Sequence, residues 1–228
     1  MSINTPPAGS ETGVATKLQI LATEHWSLLA TRSLTYSESL ARVSVFLAIL
    51  SGAVIALALV AQADRFGPAF IAAAIFMLLV VLFAGVATVA RLMQLNGDDY
   101  RWVIGMNRLR NAYLELHPEL APHFIASPYD DLPGALQTLG INVTAGRGLG
   151  SALHVYQTLP GMLSVIVAAV AGAIGALAVL AFAAPPLGVT LAGAVVFVLA
   201  VVVMGIWGRR SVRRHDPSLE PRFPSPKT

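Results

Sequence analysis

A chain of 228 residues that is 56% hydrophobic and only 12% charged, against the usual ~25% charged, is too apolar for an ordinary soluble domain. Net charge is +3 and the pI 9.6, with Lys17 and Lys227 the only lysines among 15 basic residues. Having no cysteine, the chain has no disulfides, thiolate metal sites or cysteine nucleophiles.

Residues 1–15 read as a disordered N-terminus; Met1 to Leu40 lacks a continuous apolar core and a small-residue cleavage site, so no signal peptide is expected, and Met1-Ser2 is not a myristoylation start. Residues 16–42 carry a helical pattern. Leu18, Leu21, Ala22, His25, Leu28, Leu29, Tyr36 and Leu40 share one face with Trp26 at its edge, opposite Lys17, Glu24, Thr31 and Glu38. With few Lys and Arg on the polar face, packing on other cytoplasmic elements is favoured over lying on lipid. His25 reads as structural rather than as a ligand or pH switch.

Four stretches then lack Asp, Glu, Lys, Arg and His altogether: residues 43–62, 69–90, 161–184 and 187–207. At about 1.5 Å per residue each reaches the ~30 Å of bilayer hydrocarbon. Backbone amides in lipid need internal partners and the pattern is not the alternation of a barrel, so all four are predicted transmembrane helices. Short outer connections make two hairpins, 43–90 and 161–207, of an all-α polytopic membrane protein. Fourteen of the 15 basic residues fall on one side and Arg65 alone on the other. The positive-inside rule therefore places both termini in the cytoplasm of a bacterial plasma membrane.

The cytoplasmic region 91–160 opens with Asn96-Gly97-Asp98-Asp99, a turn and acidic helix start. An amphipathic helix follows from about Asp99 to His117, with Trp102, Val103, Met106, Leu109, Tyr113 and Leu116 inward and Pro118 ending it. A Pro- and Gly-punctuated loop with one short helix comes next, then a bend at Pro160-Gly161. Residues 208–228 form a basic, Pro-rich tail, disordered from Asp216 onward.

Displaced by 120 residues, the two hairpins align without a gap: Gly52 to Ala61 lies over Gly172 to Ala181 with six identities in ten. Both hairpins run in the same sense, so the expectation is a parallel repeat, with coincidence of common residues as the rival. Ser44, Ala48, Gly52 and Ala56 recur every fourth residue, as do Ser164, Ala168, Gly172 and Ala176. Small strips allow close helix approach in lipid, so the first and third spans are expected to pack on each other through them, or else to face a second subunit.

No ionisable residue lies inside the spans, which disfavours a proton-coupled exporter. A pore gated by a hydrophobic constriction needs none. Asp98-Asp99 and Asp130-Asp131, with His117 and His123, are weak metal candidates better explained as caps. Gly146-Arg147-Gly148-Leu149-Gly150-Ser151 misses phosphate-loop spacing and reads as a hinge. Arg209, Arg210, Arg213 and Arg214 suit anionic lipid head groups. No catalytic or metal motif is present, and neither enzyme activity, cofactor nor nucleic acid is expected.

The strings His25-Trp26-Ser27-Leu28-Leu29-Ala30-Thr31-Arg32-Ser33 and Gly105-Met106-Asn107-Arg108-Leu109-Arg110, with the Arg-over-Lys bias, resemble uncharacterised four-span integral membrane proteins of actinobacteria. The resemblance covers most of the chain and implies no activity. The resulting expectation is a non-enzymatic scaffold or regulatory protein, self-associating, whose cytoplasmic helices bind a partner. Its alternative is an oligomeric channel or small-solute permease lined by the small-residue faces.

Overall fold

A computed structural model describes residues 8–64, 66–140, 158–212 and 219–226. Its elements, in order, are α1 (Ala8–Asp64), α2 (Pro68–Leu116), a 3-10 segment (Pro118–His123), α3 (Leu132–Thr138), α4 (Leu159–Leu180) and α5 (Pro186–Val212). Among the described residues there is no strand. Four helices are long and apolar enough to cross a membrane. The fold is therefore all-helical with four candidate spans, as the charge-free stretches require.

Two stretches differ from the expectation, and the second has a clear cause. Residues 8–15 belong to α1, and α2 runs without a break through Asn96-Gly97-Asp98-Asp99, where a turn is expected from the sequence. A break there would expose four unpaired N–H and four unpaired C=O groups. A glycine inside the helix costs only about 1 kcal/mol. The two aspartates find side-chain partners without any turn: Asp98 takes Arg101 and Asp99 takes Arg32.

The chain divides into two compact units, a membrane unit of residues 37–95 and 147–214 and a polar unit of residues 1–36, 96–146 and 215–228. In the membrane unit, Val43, Phe46 and Ala53 of α1, Leu78, Val81, Val89 and Leu92 of α2, and Leu163, Val167 and Val170 of α4 form one buried cluster. The three helices meet at Gly85, where a Cβ would stand 2.6 Å from Val167 Cγ2 and 2.9 Å from Phe46 Cε2. Only glycine permits that approach. At one end of this unit's stretches of α1 and α2, Glu38 accepts from Arg91 at 3.0 and 3.2 Å and from Arg42 at 2.7 Å. Hydrogen bonds from Arg91, then Arg42, hold its carboxyl at about 2. At the other end, Asp64 Oδ2 accepts from the Phe70 amide at 2.7 Å and caps α2.

The second hairpin is joined by glycine. A Cβ on Gly172 would lie 2.9 Å from the Gly193 carbonyl oxygen, and one on Gly175 2.7 Å from Val196 Cγ2. α4 does not bend at Pro160-Gly161. It begins there, with Thr158 Oγ1 accepting from the Gly161 amide at 3.3 Å and Pro160 in the first turn, where its missing N–H costs nothing.

The small-residue strips do not meet each other. Ser44, Ala48 and Gly52 are exposed, and a Cβ on Gly52 would touch nothing within 4 Å. Ala56 is half-buried. Ser164, Ala168 and Gly172 are buried, Ala176 is half-buried, and Gly172 and Ala176 face Gly193 of α5. The expectation that α1 and α4 pack strip to strip is therefore corrected. α1 offers Val43 and Phe46 to the core instead, because an aromatic ring buries far more apolar area than a row of alanines. The hairpins correspond in letters but use those letters differently.

In the polar unit, α2 is covered on two sides. Leu28 of α1 lies against Gly105, where a Cβ would be 3.1 Å away. Val103, Ile104, Met106 and Ala135 form a second buried cluster with Leu28, Tyr100, Leu139 and Leu219 around it. The buried line of α1 is narrower than its apolar face: Leu18, Leu21, His25 and Leu28 are half-buried, whereas Trp26, Leu29 and Tyr36 are exposed, as is Leu40 beyond them.

Candidate functional site

Tyr129-Asp130-Asp131-Leu132-Pro133-Gly134 forms a tight entry into α3. Asp131 is the N-cap, its Oδ1 accepting from the Gly134 amide at 2.9 Å, and Pro133 fits the first turn. A Cβ at Gly134 would come within 2.2 Å of the Tyr129 carbonyl oxygen, so no other residue allows this turn. Asn107, fully buried on α2, fixes it from outside. Its Nδ2 donates to the Tyr129 carbonyl at 2.7 Å, and its Oδ1 accepts from Thr138 Oγ1 at 2.9 Å and from Arg110 at 2.7 Å.

This turn sends the Asp130 side chain into the protein, with no exposed surface. A buried carboxylate needs donors on both oxygens. Arg108 Nε donates to Oδ2 at 2.7 Å, the Arg222 amide to Oδ2 at 2.9 Å, and the Phe223 amide to Oδ1 at 2.7 Å. The Asp130 amide donates back to the Phe223 carbonyl at 3.1 Å. Next door, Asp131 Oδ2 accepts from the Ser225 amide at 2.8 Å and from the Ser225 hydroxyl. Arg108 also donates to the Glu220 carbonyl at 2.9 Å, and Leu219 packs on the second cluster. Residues 219–226 are thus held in place, which corrects the expectation of a disordered tail. Burial raises the Asp130 carboxyl, but the amides of Arg222 and Phe223 and the Arg108 guanidinium outweigh it and leave the group below its usual range. Asp131 is lowered likewise, its desolvation outweighed chiefly by Ser225.

Toward the tail, these carboxylates accept from three backbone amides and one hydroxyl. The carboxyls of Asp130 and Asp131 lie below their usual range, which suits them to accepting hydrogen bonds rather than to acid or base work at neutral pH. The sequence shows Asn107 and Arg108 only within a string of resemblance and gives neither them nor residues 219–226 a binding role. The legible signal was the apolar pair Leu219 and Phe223 inside a Pro-rich stretch otherwise read as unstructured.

Among the described residues the remaining candidates build no common metal site, and no group of three or more His, Asp or Glu side chains could hold a metal ion. Asp98 pairs with Arg101, Asp99 with Arg32, and His117 with Glu119. His25 stacks on Tyr113 with centroids 6.0 Å apart, and Tyr113 on Phe124 at 6.5 Å. Burial, and then the nearby Arg110 charge, lower the His25 pKa, which suits a neutral packed ring. Arg210 is exposed near the end of α5, whereas the Arg209 side chain and Arg213 and Arg214 lie outside the described residues. So does Gly146 to Ser151, the expected hinge.

No protein-family model, curated protein or solved structure matches the chain. Its reading rests on its own geometry.

Proposed function

We propose that this chain is an integral protein of the bacterial plasma membrane, with both termini cytoplasmic, that acts as a non-enzymatic scaffold or regulator. Its polar unit binds a protein partner, and the chain self-associates within the bilayer. The observation that carries this reading is the Asp130–Asp131 cradle. It sets the buried Asp130 carboxylate and the half-buried Asp131 carboxylate against the backbone amides of residues 222, 223 and 225, the chemistry of peptide recognition. Four apolar helices supply the membrane part, and the basic residues crowded on one side supply the orientation. Arg209, Arg210, Arg213 and Arg214 contact anionic lipid head groups in this reading, at about 1 kcal/mol each near the surface.

One feature favours the second reading, an oligomeric channel: the exposed Ser44, Ala48 and Gly52 leave a narrow helix face open to another copy. Flux from liposomes containing the purified protein, read beside its oligomeric mass in native lipids, separates the two. The scaffold reading expects no flux, and robust ion leak from a ring-forming oligomer overturns it. Because the chain has no native cysteine, Arg65→Cys and Ser211→Cys report topology directly: the first labels from outside intact cells and the second does not.

A further inference from the structure

The seated tail has a regular chemistry. Amides at 222, 223 and 225 donate to Asp130 and Asp131. The residues that cannot donate, Pro221, Pro224 and Pro226, occupy the positions between and beside them. Proline there sacrifices no hydrogen bond and holds the backbone extended before binding, which lowers the ordering cost. Glu220, Pro221, Arg222, Pro224 and Pro226 are exposed, whereas Leu219, Phe223 and Ser225 are half-buried. The cradle therefore reads a backbone, one hydroxyl and two apolar side chains. Any segment presenting those groups at that spacing satisfies it equally.

The cradle also does not tolerate being empty. Without the tail, Asp130 keeps Arg108 and loses both amides, so the carboxylate gives up two charge-assisted hydrogen bonds. Exchange of one segment for another preserves every bond. Opening gives up every bond to the tail.

We propose that the Asp130–Asp131 cradle is a recognition site for extended, proline-bracketed peptides of the form Pro-x-aromatic-Pro-Ser, and that residues 219–226 are its built-in occupant, displaced by a partner's segment of the same chemistry. This rests on the reading of the polar unit as a partner-binding module and names the partner's chemistry. The tethered copy competes at an effective concentration on the order of mM, so the site stays closed to weak or scarce ligands.

The test uses the full chain in lipid nanodiscs with a fluorophore on Pro226→Cys, an exposed position, and the synthetic peptide of residues 219–228 as probe. In the otherwise native chain the dye is held, and millimolar unlabelled peptide releases it. Arg222→Pro removes one amide to Asp130 and frees the dye. The labelled peptide then binds that chain at least tenfold more tightly than the native one, while a peptide with Pro at the same position does not bind. Asp131→Asn, which retains the helix cap, weakens peptide binding at least tenfold in the Arg222→Pro background. Ser225→Ala repeats the measurement with a milder tail change should Arg222→Pro lower the helicity of the chain. A dye already free in the native chain, or a freed tail whose cradle takes up no peptide, overturns the proposal. Peptide binding is read on the polar unit and flux on the spans, so this inference and the function above fail separately.

Discussion

Arg32 Nε donates to Asp99 Oδ1 at 2.6 Å while its second nitrogen reaches Oδ2 at 3.3 Å, joining α1 to α2 across 67 residues of sequence. The forked geometry fits a guanidinium and not an ammonium. Both side chains are about a third exposed, which limits the strength of the pair. A double-mutant cycle with Arg32→Gln and Asp99→Asn is expected to give a coupling of about 0.5 to 1 kcal/mol, diminished in high salt. Thermal unfolding of the four chains at two ionic strengths measures it. A coupling that does not change with salt would contradict the assignment.

Asn107 is the costlier residue to lose. Two of its bonds hold the α3 segment, one to the Tyr129 carbonyl before it and one from Thr138 at its end, and its removal leaves the Tyr129 carbonyl without that donor. Asn107→Ala is expected to destabilise the polar unit by about 2 kcal/mol and to free the tail with it. Denaturant unfolding together with the dye on position 226 reads both effects, and loss of stability with the tail still held would contradict the linkage between them.

Gly134→Ala should be worse, because its Cβ has no space beside the Tyr129 carbonyl. The expected result is a polar unit whose α3 amides exchange with solvent rapidly while those of α4 stay protected. Hydrogen exchange resolved by peptide distinguishes this local loss from general unfolding.

Tail docking depends on pH in one direction. The carboxyls of Asp130 and Asp131 lie below their usual values when the tail is seated, so the released state binds protons more readily. Docking is therefore complete above the ordinary carboxylate range and is lost as pH falls through the lowered values. The dye on position 226 should remain held at pH 6 and above and come free only in strong acid. Release centred on neutral pH would show that another group controls the tail.

The two hairpins make opposite predictions. Gly172→Leu drives a side chain into Gly193 and Phe197 and should dissociate α4 from α5, seen as a large drop in detergent stability. Gly52→Leu meets nothing within the chain and should leave the stability of the monomer unchanged. If Gly52→Leu alone abolishes an oligomer seen on native gels, the face it lies on is where copies meet.

The spans are legible because lipid imposes one rule on every residue: a 20-residue stretch without charge has few alternatives. The cap at Asp131 and the stop at Pro118 are equally local. What stayed hidden was non-local. Asn96-Gly97 has the letters of a turn, and only the partners Arg32 and Arg101, one of them 67 residues away, show why the helix continues. Asp130 and Asp131 look like any soluble acidic pair until residues about 92 to 94 positions later arrive to donate to them. Composition described the tail as disordered because its ordering depends on a cradle built elsewhere in the chain.

Gly52 and Gly172 occupy matching places in the hairpin correspondence and live under unequal constraint. One can accept almost any apolar side chain, and the other almost none. Whatever the origin of the two halves, drift would erase their likeness from the first hairpin's open face long before it touched the second hairpin's seam, so the two strips should age at different rates.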